Sequence, residues 1–412
     1  MRAPNTHLAR IDYAGVTGPI MFDPSQDIVG LLDQILLDWP RTSGPEDPEK
    51  ALDRDPDGSV LARIDLAPKG LTASSRYLDT PMTGLTPTSA ACCLVADLSQ
   101  GFVDGASDAL ALHCGAVQIN GRLVALTGQH RAGKSTLVSR LTAEPDLRVF
   151  CDDMLPILSD GQAMALGVAP RLRLPLPPTA SLQFRAHVAR WTGPQDDRYA
   201  YLCAPGRAAH GTKAPLSAII VLDRRDDMPA SFHHLPPDDA LRNVLARNMS
   251  EMDSAELAFD RLHTLVRDVI SLRLVYSDLE DAVALLRRAF GGASPIDPTL
   301  SIRPEITFDA EPSAAPSPKL VTLDRIWQKD PKVVLRRVGQ SHFLWTTEGR
   351  EIWQMNPLAT AIWTLLEIPA SAHDLTEALA EVFTDQPYQR VLDDVAALLA
   401  QLQHNGLVRP LE

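Results

Sequence analysis

Eight consecutive residues near the middle of the chain combine glycines, a lysine and a hydroxyl at fixed spacing. The segment GQHRAGKS has the pattern GxxxxGK[ST], which a chain of this composition would contain by chance roughly 0.003 times. In loops of this pattern, backbone N–H groups cradle phosphates, the lysine neutralises their charge and the hydroxyl binds Mg²⁺. We therefore predict a phosphate-binding loop in which Ser135 offers its hydroxyl to Mg²⁺ and which consists of the following residues: Gly128, Gln129, His130, Arg131, Ala132, Gly133, Lys134, Ser135 and Thr136.

Two adjacent aspartates end the next apolar segment. Asp152 and Asp153 follow residues 148–151, which are predicted to form a strand. Because the carboxyl ends of parallel strands meet at one edge of a sheet, we expect the pair to lie near the glycine-rich loop. One carboxylate there can bind Mg²⁺ together with Ser135, and the other can take the proton of an attacking hydroxyl. The alternative is a polar turn that only ends the strand.

His113 stands just before a predicted β-hairpin. The hairpin joins residues 116–119 to residues 123–126 through Asn120-Gly121, two residues that tolerate positive φ. This geometry folds the histidine back toward the edge of the sheet that carries the loop. A purely structural role is the alternative for a single histidine.

Strand-like and helix-like segments alternate up to residue 290. Alternation of this kind predicts an α/β core with a central sheet and flanking helices. Apolar runs and helical spacing predict strands at 116–119, 123–126, 148–151 and 216–222, and helices at 133–142, 255–270 and 279–290.

The first 108 residues carry no motif that indicates chemistry. Apolar spacing predicts a helix over 27–37, and a run of small apolar residues predicts a strand over 91–96. Prolines and charges between them predict an exposed loop over 38–59. We expect this region to pack on the core, and either to extend its sheet or to help bind substrate.

The stretch around the glycine-rich loop resembles HPr kinase/phosphorylase and its HPr-kinase-like relatives. The similarity is carried by residues 112–117, the hairpin, the Gly-Lys-Ser-Thr of the loop and residues 151–153. It covers roughly residues 110 to 160 well and extends loosely to about residue 290. The resemblance implies an α/β P-loop kinase core with an HPr-kinase-like sheet.

The same resemblance implies roles for individual residues. Asp152, assisted by His113, is implied as the general base toward a serine hydroxyl. Asp153 is implied to help hold Mg²⁺, and Lys134 to act on the transferred phosphate.

The chain departs from that family in two places. His130 and Arg131 replace the Ser-Gly usual in this loop, and a later signature rich in glutamate and glycine is absent. Residues 168–175 stand in place of that signature, and their Arg171 and Arg173 are candidate contacts to phosphate or substrate, or else ordinary surface arginines. The missing signature disfavours phosphorylase activity, a hexamer and HPr as substrate, and favours relatives that phosphorylate peptides.

A proline-rich segment precedes a smaller C-terminal region. Residues 291–318 contain six prolines and few large apolar side chains, which predicts an extended linker. Beyond it the pattern predicts three short strands at 333–338, 342–347 and 351–355, followed by three helices, the first opened by Pro357. This is a small winged-helix-like α+β unit.

Residues 319–412 resemble the PqqD-like family of peptide-recognition domains. The similarity is carried by residues 351–363 and by the end of the last helix. It implies that the leader of a ribosomally made precursor peptide binds as an added strand, in a groove near Ile352, Gln354 and Val391. The alternatives are that these side chains belong only to the core, or that the unit is a DNA-binding winged helix. A recognition helix with one arginine and two aspartates disfavours DNA.

Charge and hydropathy disfavour several other classes. A net charge of −13 lacks the positive field that nucleic-acid and membrane-surface binders need. The longest apolar runs have about seven residues, against roughly 20 for a membrane span, and no apolar segment follows the first arginines as in a signal peptide. Five cysteines without CxxC spacing indicate a reducing, cytoplasmic setting.

These patterns favour an ATP-dependent kinase that phosphorylates a Ser or Thr hydroxyl of a ribosomally synthesised precursor peptide. The expected division is an N-terminal region at 1–108, a kinase domain at 109–290, a linker at 291–318 and a leader-binding domain at 319–412. Two alternatives stay open: a peptide chaperone that ATP switches without transfer, and a small-molecule kinase. The patterns do not determine the oligomeric state.

Overall fold

The computed structural model describes residues 8–44, 60–106, 108–129, 132–305, 321–382, 384 and 386–411. The chain divides into two compact units. Unit 1 consists of residues 1–235, 246–251 and 269–305, and unit 2 of residues 236–245, 252–268 and 306–412. The described part of the chain is a mixed α/β structure with five sheets and ten helices. None of these helices combines the length and the apolar character that crossing a bilayer requires.

The N-terminal region of unit 1 is a six-stranded sheet packed with two helices. Its elements are β1 (Ala9–Tyr13), β2 (Ile20–Phe22), α1 (Ile28–Ile35), β3 (Arg41–Gly44), β4 (Ala62–Ala67), β5 (Gly70–Ser75), β6 (Met82–Leu85) and α2 (Pro87–Gly105). The strands are ordered β3-β1-β2-β4-β5-β6.

The first helix predicted in this region is confirmed, and the predicted strand is wrong. Asp27 caps α1 by accepting a hydrogen bond from the backbone N–H of Gly30. Residues 91–96 lie inside α2, which has 19 residues. At its start the Thr86 side chain accepts a backbone N–H and Pro87 occupies the first turn. These start signals and the small residues that follow stabilise a helix, where the apolar run alone suggested a strand.

The rest of unit 1 is built on a nine-stranded sheet. Between residues 110 and 290 the chain forms β7 (Leu110–His113), β8 (Gly115–Ile119), β9 (Arg122–Gly128), α3 (Lys134–Leu141), β10 (Leu147–Cys151), β11 (Met154–Ile157), β12 (Gln162–Met164), β13 (Arg171–Arg173), α4 (Leu182–Trp191), β14 (Thr192–Gln195), β15 (Tyr199–Leu202), β16 (Lys213–Arg224), β17 (Ser231–His234), α5 (Pro237–Leu245), α6 (Ala255–Arg267), β18 (Ile270–Tyr276) and α7 (Leu279–Phe290). Of these elements, α5 and α6 belong to unit 2. The sheet is ordered β10-β8-β9-β16-β12-β11-β7, with β18 paired to β16 and β17 to β18. The strands and helices predicted between residues 116 and 290 are therefore confirmed, except that the helix from residue 255 ends at Arg267.

Four strands of this sheet end at the same edge. β16 is parallel to β9 and β18, and β10 runs the same way because β9 and β10 are both antiparallel to β8. The β8–β9 turn has the predicted form, with φ of 47° at Asn120 and 79° at Gly121. We call the edge where β9, β10, β16 and β18 end the carboxyl edge.

Two large hydrophobic cores lie within the described part of unit 1, beside a smaller one around Phe184. The first packs α3 and α7 against the sheet and includes Leu126, Leu137, Ile220 and Leu286. The second joins the N-terminal sheet and its helices to residues that follow, such as Met154. The N-terminal region and the central sheet thus share one core.

A small third sheet lies beside these cores. Its strands are ordered β13-β15-β14, and α4 packs on it through Phe184 and Val188. Leu172 of β13 and Leu202 of β15 complete this cluster. The sheet therefore holds β13 in a defined place.

Parts of the predicted loop and linker have regular contacts. The loop predicted over 38–59 contains β3, and its residues 45–59 lie outside the described residues. Arg303, inside the predicted linker, exchanges backbone hydrogen bonds with β17, so the first half of that segment belongs to unit 1. Its residues 306–318 lie outside the described residues.

Unit 2 contains α5 and α6 together with the C-terminal elements. These are β19 (Trp327–Lys329), β20 (Val333–Val338), β21 (Ser341–Thr346), β22 (Trp353–Met355), α8 (Pro357–Leu365), α9 (Ala372–Ala380), α10 (Tyr388–His404) and β23 (Val408–Pro410). The strands form the sheets β20-β21-β22 and β19-β23. The three predicted strands and three predicted helices are confirmed, with Pro357 in the first turn of α8 and Ser371 capping α9.

Both faces of β21 are covered, because successive side chains of a strand point to opposite sides. Leu344 packs into the core made by α8, α9 and α10. Phe343 and Trp345 pack against Phe259 of α6, with ring centroids 5.6 and 4.8 Å away. The helix α6, which lies in the region 109–290 that the sequence analysis expected to be one domain, thus packs with the C-terminal strands in unit 2.

Candidate functional site

The carboxyl edge brings together the loop, the two aspartates and the histidine. The glycine-rich loop, residues 128–135, follows β9, and Asp152-Asp153 follow β10. His113 ends β7, where it lies opposite Met154 of β11. This pairing places His113 beside the aspartates.

Two glycines of the loop adopt conformations that other residues rarely reach. Gly128 has φ of 155° and Gly133 has φ of 88°. A Cβ at Gly133 would lie 2.6 Å from the hydroxyl of Tyr276, and one at Gly128 would lie 2.9 Å from the carbonyl oxygen of Leu222. The motif glycines are therefore required by the close approach of neighbouring strands as well as by φ.

Lys134, Ser135 and Thr136 form the first turn of α3. All three residues are half-buried. The first backbone N–H groups of a helix lack partners within it and carry its positive dipole end. His130 and Arg131 of the loop lie outside the described residues.

Two residues that the sequence analysis missed anchor the loop from other elements. Arg247 donates from Nη2 to the carbonyl oxygen of Gly128 over 2.6 Å, and Tyr276 donates to the carbonyl oxygen of Ala132 over 2.8 Å. The backbone carbonyl of Arg247 also accepts the N–H of His113 at 2.8 Å. No local pattern marks either residue, since both contacts span more than a hundred positions of the chain.

Asp152 is buried and oriented by the backbone. Its Oδ2 accepts the N–H of Arg171 over 2.9 Å, so Arg171 contacts the site through its main chain. Burial raises the pKa of Asp152 to about 6, and the charge of Asp153 adds to the rise. Lys134 acts in the opposite direction.

Asp153 is exposed and is the partner of His113. Its Oδ1 lies 3.0 Å from Nε2 of His113, and this hydrogen bond lowers the pKa of Asp153. The resemblance implied that His113 assists Asp152, and this expectation is corrected. The β7–β11 pairing turns the histidine toward Asp153, while Asp152 points into the protein and toward β13.

The arrangement fits an anionic phosphate ligand and a hard cation. Nε of Arg247, beside the loop, is buried without a hydrogen-bond partner among the described residues. No group of three or more His, Cys, Asp or Glu suited to a metal occurs in the described part of the chain. Mg²⁺ needs few protein ligands because it keeps waters and substrate phosphates. Ser135 and Asp153 would supply oxygen ligands of the type it prefers.

The two predicted arginines occupy both ends of β13. The Arg171 guanidinium contacts the thiol of Cys92 and stacks 5.0 Å from the ring centroid of Tyr199. Arg173 is exposed and lies 5.9 Å from the same centroid.

The second predicted site lies at the edge strand β22 of unit 2. Ile352 is half-buried just before the strand, and Gln354 donates to the hydroxyl of Ser341 over 2.9 Å. Ser341 in turn donates to Asp238 over 2.8 Å. Because β22 pairs only with β21 among the described strands, its other edge has no strand partner.

Comparison with protein families identifies this region. The family model for coenzyme PQQ synthesis protein D (PqqD) matches residues 341–408. Residues 341–408 form a PqqD domain. The match implies a role in binding a ribosomally made precursor peptide. A search of curated proteins finds no significant match to the chain.

Within the PqqD domain, one residue predicted for the groove is misplaced. Val391 is only 6% exposed and belongs to the core with Val395 and Trp363. All three side chains lie on the faces of their helices that pack inward and form the core. Ile352 and Gln354 remain at the strand edge.

Proposed function

We propose that the protein is an ATP-dependent kinase that phosphorylates a Ser or Thr hydroxyl of a ribosomally made precursor peptide bound by its PqqD domain. One observation carries the proposal: the loop, Lys134, both aspartates and His113 converge on the carboxyl edge. Convergence of a phosphate-binding pattern with an acid pair is what phosphoryl transfer requires.

The proposed step is direct transfer from ATP. The acceptor oxygen forms a bond to the γ-phosphorus while the bond from that phosphorus to the bridging oxygen of ADP breaks. Asp152 takes the hydroxyl proton on Oδ1, since its Oδ2 is held by the N–H of Arg171. Lys134 stabilises the charge on the phosphate oxygens.

Ser135 and Asp153 would hold Mg²⁺, which would supply charge neutralisation on the phosphates when bound. His113 keeps Asp153 oriented and ionised through the 3.0 Å contact. Arg247 and Tyr276 hold the loop carbonyls away from the phosphates by engaging them.

The PqqD domain would raise the concentration of the acceptor near the carboxyl edge. An added strand along β22 would supply main-chain hydrogen bonds, and side-chain pockets would set the register. A tethered substrate of this kind reaches effective concentrations in about the mM range when the connection spans the gap.

The deciding test is mass spectrometry after incubation of the full chain with ATP and Mg²⁺. The substrates are peptides selected by display for binding to the full chain, each joined to a segment that contains Ser and Thr. We expect a gain of one phosphate on a Ser or Thr, lost in Lys134→Ala and kept in Lys213→Ala, which removes an exposed lysine.

Two other results would contradict the proposal. Tight peptide binding without a gain of mass would indicate a chaperone that ATP switches. Transfer to a metabolite, with peptides left unmodified, would indicate a small-molecule kinase.

A further inference from the structure

An arginine-rich patch adjoins the aspartates. Arg171, Arg173 and Arg198 lie around the ring of Tyr199, with guanidinium carbons 5.0, 5.9 and 5.8 Å from its centroid. All four residues belong to the β13-β15-β14 sheet or to its β14–β15 turn. We call this group the arginine patch.

The arginine patch carries exposed positive charge on its outer side. Arg173 and Arg198 are exposed, and neither forms an ion pair with a carboxylate among the described residues. The turn also contains two acids. The oxygens of Asp196 accept the backbone N–H groups of Arg198 and Tyr199 and the hydroxyl of Ser89, and Asp197 is exposed. Such a cluster stands out in a chain with a net charge of −13.

The arginine patch lies on the side of the site where the acceptor hydroxyl would bind. The N–H of Arg171 binds Asp152, so β13 starts at the proposed base. An extended strand advances about 3.3 Å per residue, which places Arg173 about 7 Å farther along β13. A peptide whose hydroxyl lies at Asp152 would therefore bring residues within about four positions of the acceptor over the patch.

We infer that the arginine patch binds acidic side chains of the substrate peptide near the acceptor residue. Guanidinium groups form paired hydrogen bonds with carboxylates, and Tyr199 offers a flat surface that holds the three groups apart. In the proposed function the loop and Lys134 bind the phosphates of ATP, so the arginine patch is left for the peptide. The inference rests on the proposed function, because it assigns a substrate preference to the same site.

The test measures peptide binding without nucleotide, so that it does not depend on transfer. Two labelled peptides are compared by fluorescence anisotropy with the full chain: one has a central Ser flanked by Glu, and the other has Gln in place of each Glu. We expect the Glu peptide to bind about 10-fold more tightly at low salt, with the difference shrinking as salt rises.

Variants test whether the arginine patch causes this difference in affinity between the two peptides. Arg173→Gln with Arg198→Gln is expected to reduce the preference for Glu to less than about twofold. Both side chains are exposed, so the fold should survive their replacement. The matched control is Arg63→Gln with Lys69→Gln, which removes the same charge from the β4–β5 hairpin and is expected to leave the preference intact.

Failure of the inference and failure of the proposed function give different results. Equal binding of the two peptides by the wild type, or an undiminished preference in the patch variant, would overturn the inference. Loss of ATP affinity in the patch variant with unchanged peptide binding would overturn it too, because the patch would then serve the nucleotide. A preference for Glu with no phosphate transfer to any peptide would support the patch and contradict the kinase.

Discussion

At the scale of single residues, adjacent aspartates have opposite environments. Asp152 is buried and its pKa is raised to about 6, whereas the His113 hydrogen bond lowers the pKa of Asp153. Desolvation determines the direction of the pKa shift of Asp152, and a hydrogen-bond partner determines that of Asp153. Groups whose pKa values are pushed apart in this way are typical of sites where acids and bases have different tasks.

The contact of His113 predicts a metal-dependent defect. His113→Ala should raise the Mg²⁺ concentration needed for half-maximal transfer about 10-fold, because Asp153 loses its orienting partner. The kcat at saturating Mg²⁺ should stay nearly unchanged. Asp152→Asn should lower kcat about 100-fold or more at any Mg²⁺ concentration. If His113→Ala lowered kcat at saturating Mg²⁺ as strongly, the histidine would act on the base instead.

The buried carboxyl of Asp97, which is not part of the candidate site, should make the stability of the protein depend on pH. Burial raises its pKa to about 6, against about 3.9 in the unfolded chain. Between these values the folded state binds more protons, so the free energy of unfolding falls as the pH rises from about 4 to about 6.

Asp97→Asn should therefore reduce this fall by about 2 to 3 kcal/mol in denaturant titrations of the protein free of nucleotide and Mg²⁺. Asp152 contributes a change of the same sign, so part of the slope should remain. Asp79→Asn, at an exposed position, serves as the control. An unchanged slope in Asp97→Asn would show that this carboxyl is ionised in the folded protein.

At the scale of elements, the loop depends on segments that are distant in sequence. The carbonyl oxygen of Gly128 accepts a hydrogen bond from Arg247, and that of Ala132 accepts one from Tyr276 at the end of β18. A glycine-rich loop has little conformational preference of its own, so these bonds select its shape.

Removing one anchor should weaken nucleotide binding. Tyr276→Phe loses the 2.8 Å bond to Ala132, worth about 0.5 to 1.5 kcal/mol, and should raise the Kd for ATP about three- to 10-fold in calorimetric titration. Tyr13→Phe is the matched control, because its buried hydroxyl has no hydrogen-bond partner among the described residues. Equal ATP affinity in both variants would contradict a role for this anchor.

In unit 2, the sheet needs α6 as well as the C-terminal helices. Phe259 is 2% exposed and packs on Phe343 and Trp345. Phe259→Ala should destabilise this unit by about 3 to 5 kcal/mol, seen as faster hydrogen exchange in β21 and β22.

Leu257→Ala, on the same helix but 39% exposed, should have a much smaller effect. Equal protection of β21 in the wild type and in Phe259→Ala would show that the PqqD domain does not depend on α6. Removal of residues 319–412 would expose Phe259 of α6, because its packing partners Phe343 and Trp345 would be lost. Point variants therefore test leader binding with less damage to the fold than a truncation.

At the scale of the whole molecule, the chain interleaves the two units. It leaves unit 1 for α5, returns for residues 246–251, leaves again for α6 and returns for β18. The returning segment carries Arg247, which bonds to the glycine-rich loop. The two units are therefore not consecutive along the sequence: each is assembled from three separate segments of the chain.

The tether hypothesis predicts a kinetic signature. Ile352→Glu places a charge beside the free edge of β22 and should raise KM for a leader-bearing peptide about 10-fold with kcat unchanged, because only ground-state binding is lost. Leu335→Glu, at an exposed position on the opposite edge strand β20, should leave both constants unchanged. A fall in kcat with unchanged KM in Ile352→Glu would contradict the tether.

Local patterns predicted the main elements of the central sheet and of the C-terminal region, but few of the remaining strands. The hairpin at Asn120-Gly121, the loop motif, the aspartates after β10 and the capped C-terminal helices all follow from spacing and turn chemistry within a few residues. The strand expected at 91–96 failed because a helix start at Thr86 lay outside the apolar run that suggested it.

Only the tertiary structure decided which of these residues meet. The β7–β11 pairing turned His113 to Asp153, and the packing of α10 buried Val391. Arg247, Tyr276 and Phe259 gained their roles through contacts that span many positions of the chain. Such contacts depend on how sheets and helices pack, and packing is a property of surfaces assembled from distant segments, which no local pattern records.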